Sequence, residues 1–218
     1  YHDHSDDRLR ERILGDLGTK AVALVSDAGT PLISDPGYKL VRAARQAGHA
    51  VHSLPGPCAA IAALTLAGLP TDRFLFLGFL PAKAKARNDA IAEIASVRAT
   101  LVFYESGPRL GDTLSALAST LGDREVAVVR ELTKLHEESV TGSLSELAAR
   151  YADEAPRGEI VILVGPPLKP SAPSEADIDA ALDEALTRLS PSRAAAEVAE
   201  RLGLPRKQVY ALAMEKAG

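Results

Sequence analysis

The segment Ser26-Asp27-Ala28-Gly29-Thr30-Pro31 is where this 218-residue sequence first offers chemistry. It follows a short apolar run and leads to Asp35-Pro36-Gly37, so it reads as a loop between a strand and a helix. Open α/β sheets bind their ligands at such positions. Gly29 would let a ligand approach the main chain, while Ser26 and Asp27 offer a hydroxyl and a carboxylate to a polar or cationic group. The competing reading is architectural, with Asp27 and Asp35 only capping a turn and a helix. A second rigid turn, Pro55-Gly56-Pro57, opens into Cys58 and Ala59 at the head of a small-residue helix. Further on, Lys83, Lys85 and Arg87 put three cations into one loop, which is either solvated or in contact with nucleic acid.

What is missing narrows the ligand. Neither a Gly-x-Gly-x-x-Gly turn nor a glycine-lysine phosphate loop occurs, so nucleotide phosphates are not the obvious target. No His/Asp/Glu cluster has metal-ligand spacing, and no metal is expected; His2 and His4, set among aspartates, read as an exposed polar terminus. Cys58 is the only cysteine, which excludes an intrachain disulfide, fits a reducing compartment and reads as a small apolar residue. The net charge of -4 argues against a protein that grips nucleic acid with its whole surface, leaving local basic patches. No run of about 18 apolar residues is present, and the first residues lack the basic, apolar, small-residue order of a secretion leader. A soluble, cytoplasmic protein is expected, with no membrane contact.

The elements that must hold these residues follow from periodicity. Apolar runs at residues 21–25, 50–54, 74–80, 100–104, 125–129 and 159–164 read as strands, separated by helical patterns, which is the α/β signature. One helix is signalled by Asp35 as cap and Pro36 at its first position, with Gly48 as its stop; another covers residues 59–67 and ends at Gly68. The expected organisation is a first α/β lobe over residues 1–77, a second over 78–165, a proline-rich linker over 166–174 and an all-helical unit over 175–218. That unit reads as helices over 175–189, 190–202 with Ser190 as cap, and 205–217, with Gly203 in a helix-turn-helix-like turn.

With these elements in place, the chain resembles a known family. The residues from Ser26 to Gly37, Leu54-Pro55-Gly56-Pro57-Cys58-Ala59-Ala60, Phe76-Leu77-Gly78-Phe79-Leu80-Pro81, Leu101-Val102-Phe103-Tyr104-Glu105-Ser106 and Arg130-Glu131-Leu132-Thr133-Lys134 carry the resemblance. In this order and spacing they are similar to the ribosomal small subunit methyltransferase I family, which has the tetrapyrrole methylase fold. The resemblance implies a two-lobed α/β fold with a helical C-terminal extension. It further implies S-adenosylmethionine-dependent 2'-O-methylation of a cytidine ribose in the decoding region of 16S rRNA on the 30S subunit, by a homodimer. The alanine-rich helix starting at Ala59 is a candidate for the face that meets a second copy.

By position, Ser26, Asp27, Ala28, Gly29, Thr30, Pro55, Pro57, Cys58 and Ala59 would be first-lobe walls of the cofactor cleft. Tyr104, Glu105, Leu132, Gly158 and Glu159 would be second-lobe walls. Asp27 or Glu131 is the candidate to take or orient the ribose proton, and Lys134 or Arg130 to stabilise the oxyanion or hold a phosphate; a plain surface ion pair is the alternative for Glu131 with Lys134. Lys83, Lys85, Arg87, Arg130 and Lys134 are the expected RNA contacts.

The family pattern opens with a further strand, a Pro-Ile-Gly-Asn-Leu-Gly-Asp-like loop and an acidic Glu-Asp-Thr-Arg segment, all before the position of Tyr1. The first lobe is therefore expected to be N-terminally shortened and to lack one cleft wall. Two rival readings remain, methylation of a cobalamin or sirohaem precursor and RNA binding by a degenerate, non-enzymatic cleft.

Overall fold

The longest uninterrupted apolar stretches become the middle of one five-stranded sheet. In the computed structural model, which describes residues 7–153, 155–167 and 174–217, the strands are β1 (Phe74–Phe79), β2 (Thr100–Ser106), β3 (Glu125–Arg130), β4 (Glu138–Ser143) and β5 (Glu159–Val164). Their order is β1-β2-β5-β3-β4, with β1 and β2 parallel and the other neighbours antiparallel. β5 and β3 are covered on both faces, which is why Ile160 to Val164 and Val126 to Val129 are apolar without alternation. His2, His4 and most of the expected linker lie outside the described residues.

The sheet separates two apolar layers. Leu101, Phe103, Val126, Val128, Ile160, Ile162 and Val164 pack against Ile91 of α4 (Ala84–Glu93), Leu110, Leu114 and Leu117 of α5 (Leu110–Leu121), and Leu144 and Leu147 of α6 (Leu144–Arg150). Each fully buried Leu, Ile or Phe in that layer contributes about 1.5–3 kcal/mol of transfer free energy. On the other face Val102, Ala127, Val129, Val161 and Leu163 meet Ala60, Ala63 and Leu64 of α3 (Ala59–Leu66). Alanines at the contact let this helix lie close to the sheet, and Ile61 and Leu66 on its other side are exposed.

Before β1 the regular elements among the described residues are all helices, α1 (Asp7–Leu17), α2 (Tyr38–Gln46) and α3, with irregular chain between them. The strands expected at 21–25 and 50–54 are absent from this structure, and Val25 and Leu54 are 81% and 85% exposed. A strand exists only through a hydrogen-bonded neighbour, and among the described residues neither segment has one. The helix expected from Pro36 starts two residues later, capped by Gly37, and closes as predicted at Gly48, where His49 N–H donates to Ala44 and Gly48 N–H to Arg45. α1 and β4 lie outside the elements expected from periodicity. The expected cationic loop at 83–87 is mostly α4; its alanines favour helix, and Arg87 and Ile91, four residues apart, form its buried face.

The chain divides after Pro167 into two compact units. The second contains α7 (Glu175–Leu186), α8 (Pro191–Leu202) and α9 (Arg206–Ala217). Ser174 and Asp177 form a reciprocal capping box at the start of α7, each side chain accepting the other's main-chain N–H. Ile178, Leu182, Val198 and Val209 make its core, with alanines allowing close helix contact.

Candidate active site

Loop 26–30 and turn 55–58 are joined directly: the Thr30 hydroxyl donates to the Pro57 carbonyl at 2.8 Å. The Ser26 hydroxyl donates to the Ala28 carbonyl at 2.9 Å, closing the loop around Asp27. The Asp27 side chain is exposed and has no hydrogen bond or ion pair among the described residues. Among the described residues, apart from its chain neighbours, a Cβ on Gly29 would meet within 4 Å only the Pro57 carbonyl oxygen, at 4.0 Å, so the main chain here is open to a ligand. Just beyond, Leu32 and Ser34 have φ of 74° and 56°. Such conformations cost on the order of 1–3 kcal/mol each and concentrate where a loop is shaped for a task.

The second wall begins at α3. Ala60 N–H, in the unsatisfied first turn of that helix, donates to the Tyr104 hydroxyl at 3.2 Å. Burial raises the Tyr104 pKa, against the lowering effect of the Ala60 bond. Its ring meets Phe76 edge-on at 4.9 Å and Phe79 at 5.7 Å. Cys58, Phe76, Tyr104 and Leu132 are half-buried on the apolar layer beneath. Ala59 is exposed at the helix head, beside exposed Pro55 and Pro57.

Glu105 does not join this wall. Its side chain is 1% exposed and accepts from the Thr113 hydroxyl at 2.7 Å and from Ser106 N–H, with Arg109 Nη2 at 3.3 Å. Arg109 in turn donates to the Leu80 carbonyl at 2.7 Å, so the buried carboxylate fixes the chain that follows β1.

The loop between β3 and β4 is braced by charge. The Glu131 carboxylate accepts from Lys134 Nζ at 2.9 Å and from Glu159 N–H at 3.0 Å, while Lys134 also reaches the Glu159 carboxylate at 3.0 Å. The Lys134 bond and the Glu159 amide lower the Glu131 pKa, and Glu131 and Glu159 raise that of Lys134. Glu131 and Thr133 have φ of 50° and 63°. Gly158, at φ 102°, lies against Glu131, where an added Cβ would come within 2.4 Å of the carboxylate.

The expected RNA cations divide. Lys83 is exposed, and Lys85 is exposed with Asp89 at 2.7 Å. Arg87 is buried with Asp112 3.9 Å away, Arg130 is bound to Glu138 and to the Arg157 carbonyl, and Lys134 is paired as described. Among the described residues no three His, Cys, Asp or Glu side chains form a metal site, and no helix is long and apolar enough to cross a membrane. Phe76 and Phe79 carried no site role in the sequence; the glycine between them, interrupting a strand, was the available signal.

The arrangement therefore offers small residues, open main chain and one free carboxylate beside an aromatic wall, with no cation in residues 26–30 or 55–59. Residues 4–148 match the family described as Tetrapyrrole (Corrin/Porphyrin) Methylases, and residues 172–217 match the RsmI C-terminal HTH domain. A protein of Erythrobacter litoralis (strain HTCC2594) named ribosomal RNA small subunit methyltransferase I is 55% identical over 215 residues, covering 99% of this chain and 76% of that protein. The protein of the same name from Escherichia coli O157:H7 is 44% identical over 221 residues, covering 100% and 77%. Among solved structures, the methyltransferase CobJ aligns with TM-score 0.55 at 19% identity, covering 72% of this chain and 70% of its own. Diphthine synthase aligns with TM-score 0.56 at 15% identity, covering 73% and 65%. At these identities the structural likeness is one of fold.

Proposed function

The chain belongs to the tetrapyrrole methylases, and within them to the ribosomal RNA small subunit methyltransferase I proteins; on that footing we propose that it methylates small-subunit ribosomal RNA, with S-adenosylmethionine as donor, on the 2'-hydroxyl of a cytidine ribose. The observation that carries the reading is the joined wall of loop 26–30 and turn 55–58, held together by Thr30 and Pro57. S-adenosylmethionine is a sulfonium cation with an adenine, a ribose and an amino acid, and no phosphate. Open main chain, small residues and the single Asp27 carboxylate suit such a group, and residues 26–30 and 55–59 contain no Lys or Arg to favour a phosphate instead.

When bound, the donor supplies an electrophilic methyl group. The chain's part is chiefly to hold the ribose oxygen in line with it, which is where most of the acceleration of such a transfer lies. Ser26, Ala28, Gly29, Thr30 and the turn from Pro55 to Ala59 would hold the donor, and Leu132 would close its apolar side. Asp27, exposed and without a partner among the described residues, takes or orients the hydroxyl proton. Glu131, already accepting two hydrogen bonds and held acidic by Lys134, braces its loop instead. The same reading puts the protein in the cytoplasm with the 30S subunit, as a homodimer.

Calorimetric titration with S-adenosylmethionine should give a saturable heat; none would reduce the protein to an RNA binder with a degenerate cleft. Incubation with methyl-labelled donor and either 30S subunits or a precorrin-type tetrapyrrole should label the RNA. Label in the tetrapyrrole alone would transfer the proposal to that substrate.

A further inference from the structure

The end of β1 carries an aromatic ring that simple strand alternation would have buried. Leu75 and Leu77 pack into the layer of α4 and α5, whereas Phe76 faces the layer of α3. Continued alternation would send Phe79 after Leu75 and Leu77. The register against β2 slips between Phe76 and Gly78, so that Gly78 pairs with Phe103 and Phe79 with Tyr104. The extra residue reverses the parity, and Phe79 emerges on the face of Phe76 and Tyr104, edge-on to Tyr104 at 5.7 Å and 56% exposed. Bulges that redirect a side chain recur beside active sites.

The turn is held from three sides. Gly78 has φ 62°, and a Cβ there would meet the Ser34 hydroxyl at 2.8 Å, so the loop that follows Ser26 to Thr30 touches the bulge directly. Tyr104 is fixed by Ala60 N–H, and the carbonyl next along the chain, that of Leu80, is gripped by Arg109, itself anchored on buried Glu105. So much bracing of an exposed apolar ring gives up the burial that a Phe side chain ordinarily contributes. Residues 81–86, which follow, are all exposed and include Lys83 and Lys85. An open aromatic face followed by exposed cations is the composition that single-stranded nucleic acid recognises by base stacking and phosphate contact.

We propose that Phe79 is a stacking platform for an unpaired nucleobase of the RNA substrate, at or next to the methylated nucleotide, with Lys83 and Lys85 meeting the adjoining phosphates. This rests on the RNA reading above and adds a specificity-determining residue to it. The adenine of the donor is the competing occupant of the ring.

The test uses the protein with methyl-labelled S-adenosylmethionine and 30S subunits that lack the modification. Phe79→Leu keeps the bulk of the side chain and removes its π face; it should raise KM for 30S subunits on the order of tenfold and leave the calorimetric Kd for the donor unchanged, with Phe79→Trp restoring KM. An unaltered KM in Phe79→Leu, while the wild type labels the RNA, would overturn the platform alone. A weakened donor Kd with unchanged KM for 30S subunits would assign the ring to adenine and overturn it equally. No label in RNA with the wild type would instead overturn the RNA reading on which the platform rests.

Discussion

Asp27 and Glu131 are carboxylates in opposite surroundings, and the difference decides what each can do with a proton. Asp27 is exposed and unbonded among the described residues, so replacing it removes a proton acceptor without disturbing a network. Asp27→Asn should lower kcat for RNA methylation about 10²-fold, at the low end for a general base, with RNA binding little altered; wild-type turnover would remove Asp27 from the mechanism. Glu131 is lowered in pKa first by its Lys134 bond and then by Glu159 N–H. A carboxylate with a depressed folded pKa stabilises the fold above its ordinary range, and that contribution is lost as pH falls through the folded value. Glu131→Gln should therefore be less stable than wild type in urea at pH 7, with the gap closing below about pH 4. A gap of the same size at low pH would mean that the ionised pairing with Lys134 contributes nothing. Residue types alone placed both acids among the candidates; their separate roles depend on Lys134 and on Glu159, which is 28 positions from Glu131.

At the scale of the element, the β3–β4 loop is held in shape by its contact with the residue that opens β5. Gly158 has a backbone conformation that L residues rarely adopt, and a Cβ there would lie 2.4–2.6 Å from the Glu131 carboxyl and Cγ. Gly158→Ala should cost about 2 kcal/mol and also weaken donor affinity if Leu132 is displaced. Combining it with Glu131→Ala should cost less than the sum, because the clash disappears with the side chain. Strict additivity in a urea-denaturation double-mutant cycle would show that the strain at Gly158 is purely local. β1 makes a related point. Its apolar run is plain in the sequence, yet the bulge that aims Phe79 arises only from pairing with β2.

At the scale of the molecule, a net charge of -4 leaves the proposed RNA substrate to be met by local cations. Lys83 and Lys85 are exposed, whereas Arg87 is buried and Arg130 and Lys134 are held by carboxylates. Replacing Lys83 and Lys85 together with Gln should weaken binding at low salt and flatten the plot of log affinity against log salt by about 0.7 for each phosphate left without its cation. An unchanged slope would leave that stretch merely solvated. Arg87 is excluded from this variant, because losing a buried guanidinium would disturb α4 and α5 rather than report on RNA.

Whatever depends on near neighbours is legible along the chain. Apolar runs gave β1, β2, β3 and β5, and Ser190 and Gly203 gave α8 and α9 to within a residue. The order of Ser26 to Pro31, Pro55 to Ala59 and Arg130 to Lys134 gave the family. Whatever depends on distant partners emerges only when the chain is folded. Residues 21–25 and 50–54 have strand composition, but a ladder needs a neighbouring strand, and none pairs with them among the described residues. Glu105 and Arg87 have the composition of surface groups, yet α5 packs over both. The face reached by Phe79 turns on one extra residue in a parallel pairing, since a single-residue slip reverses every side chain that follows it.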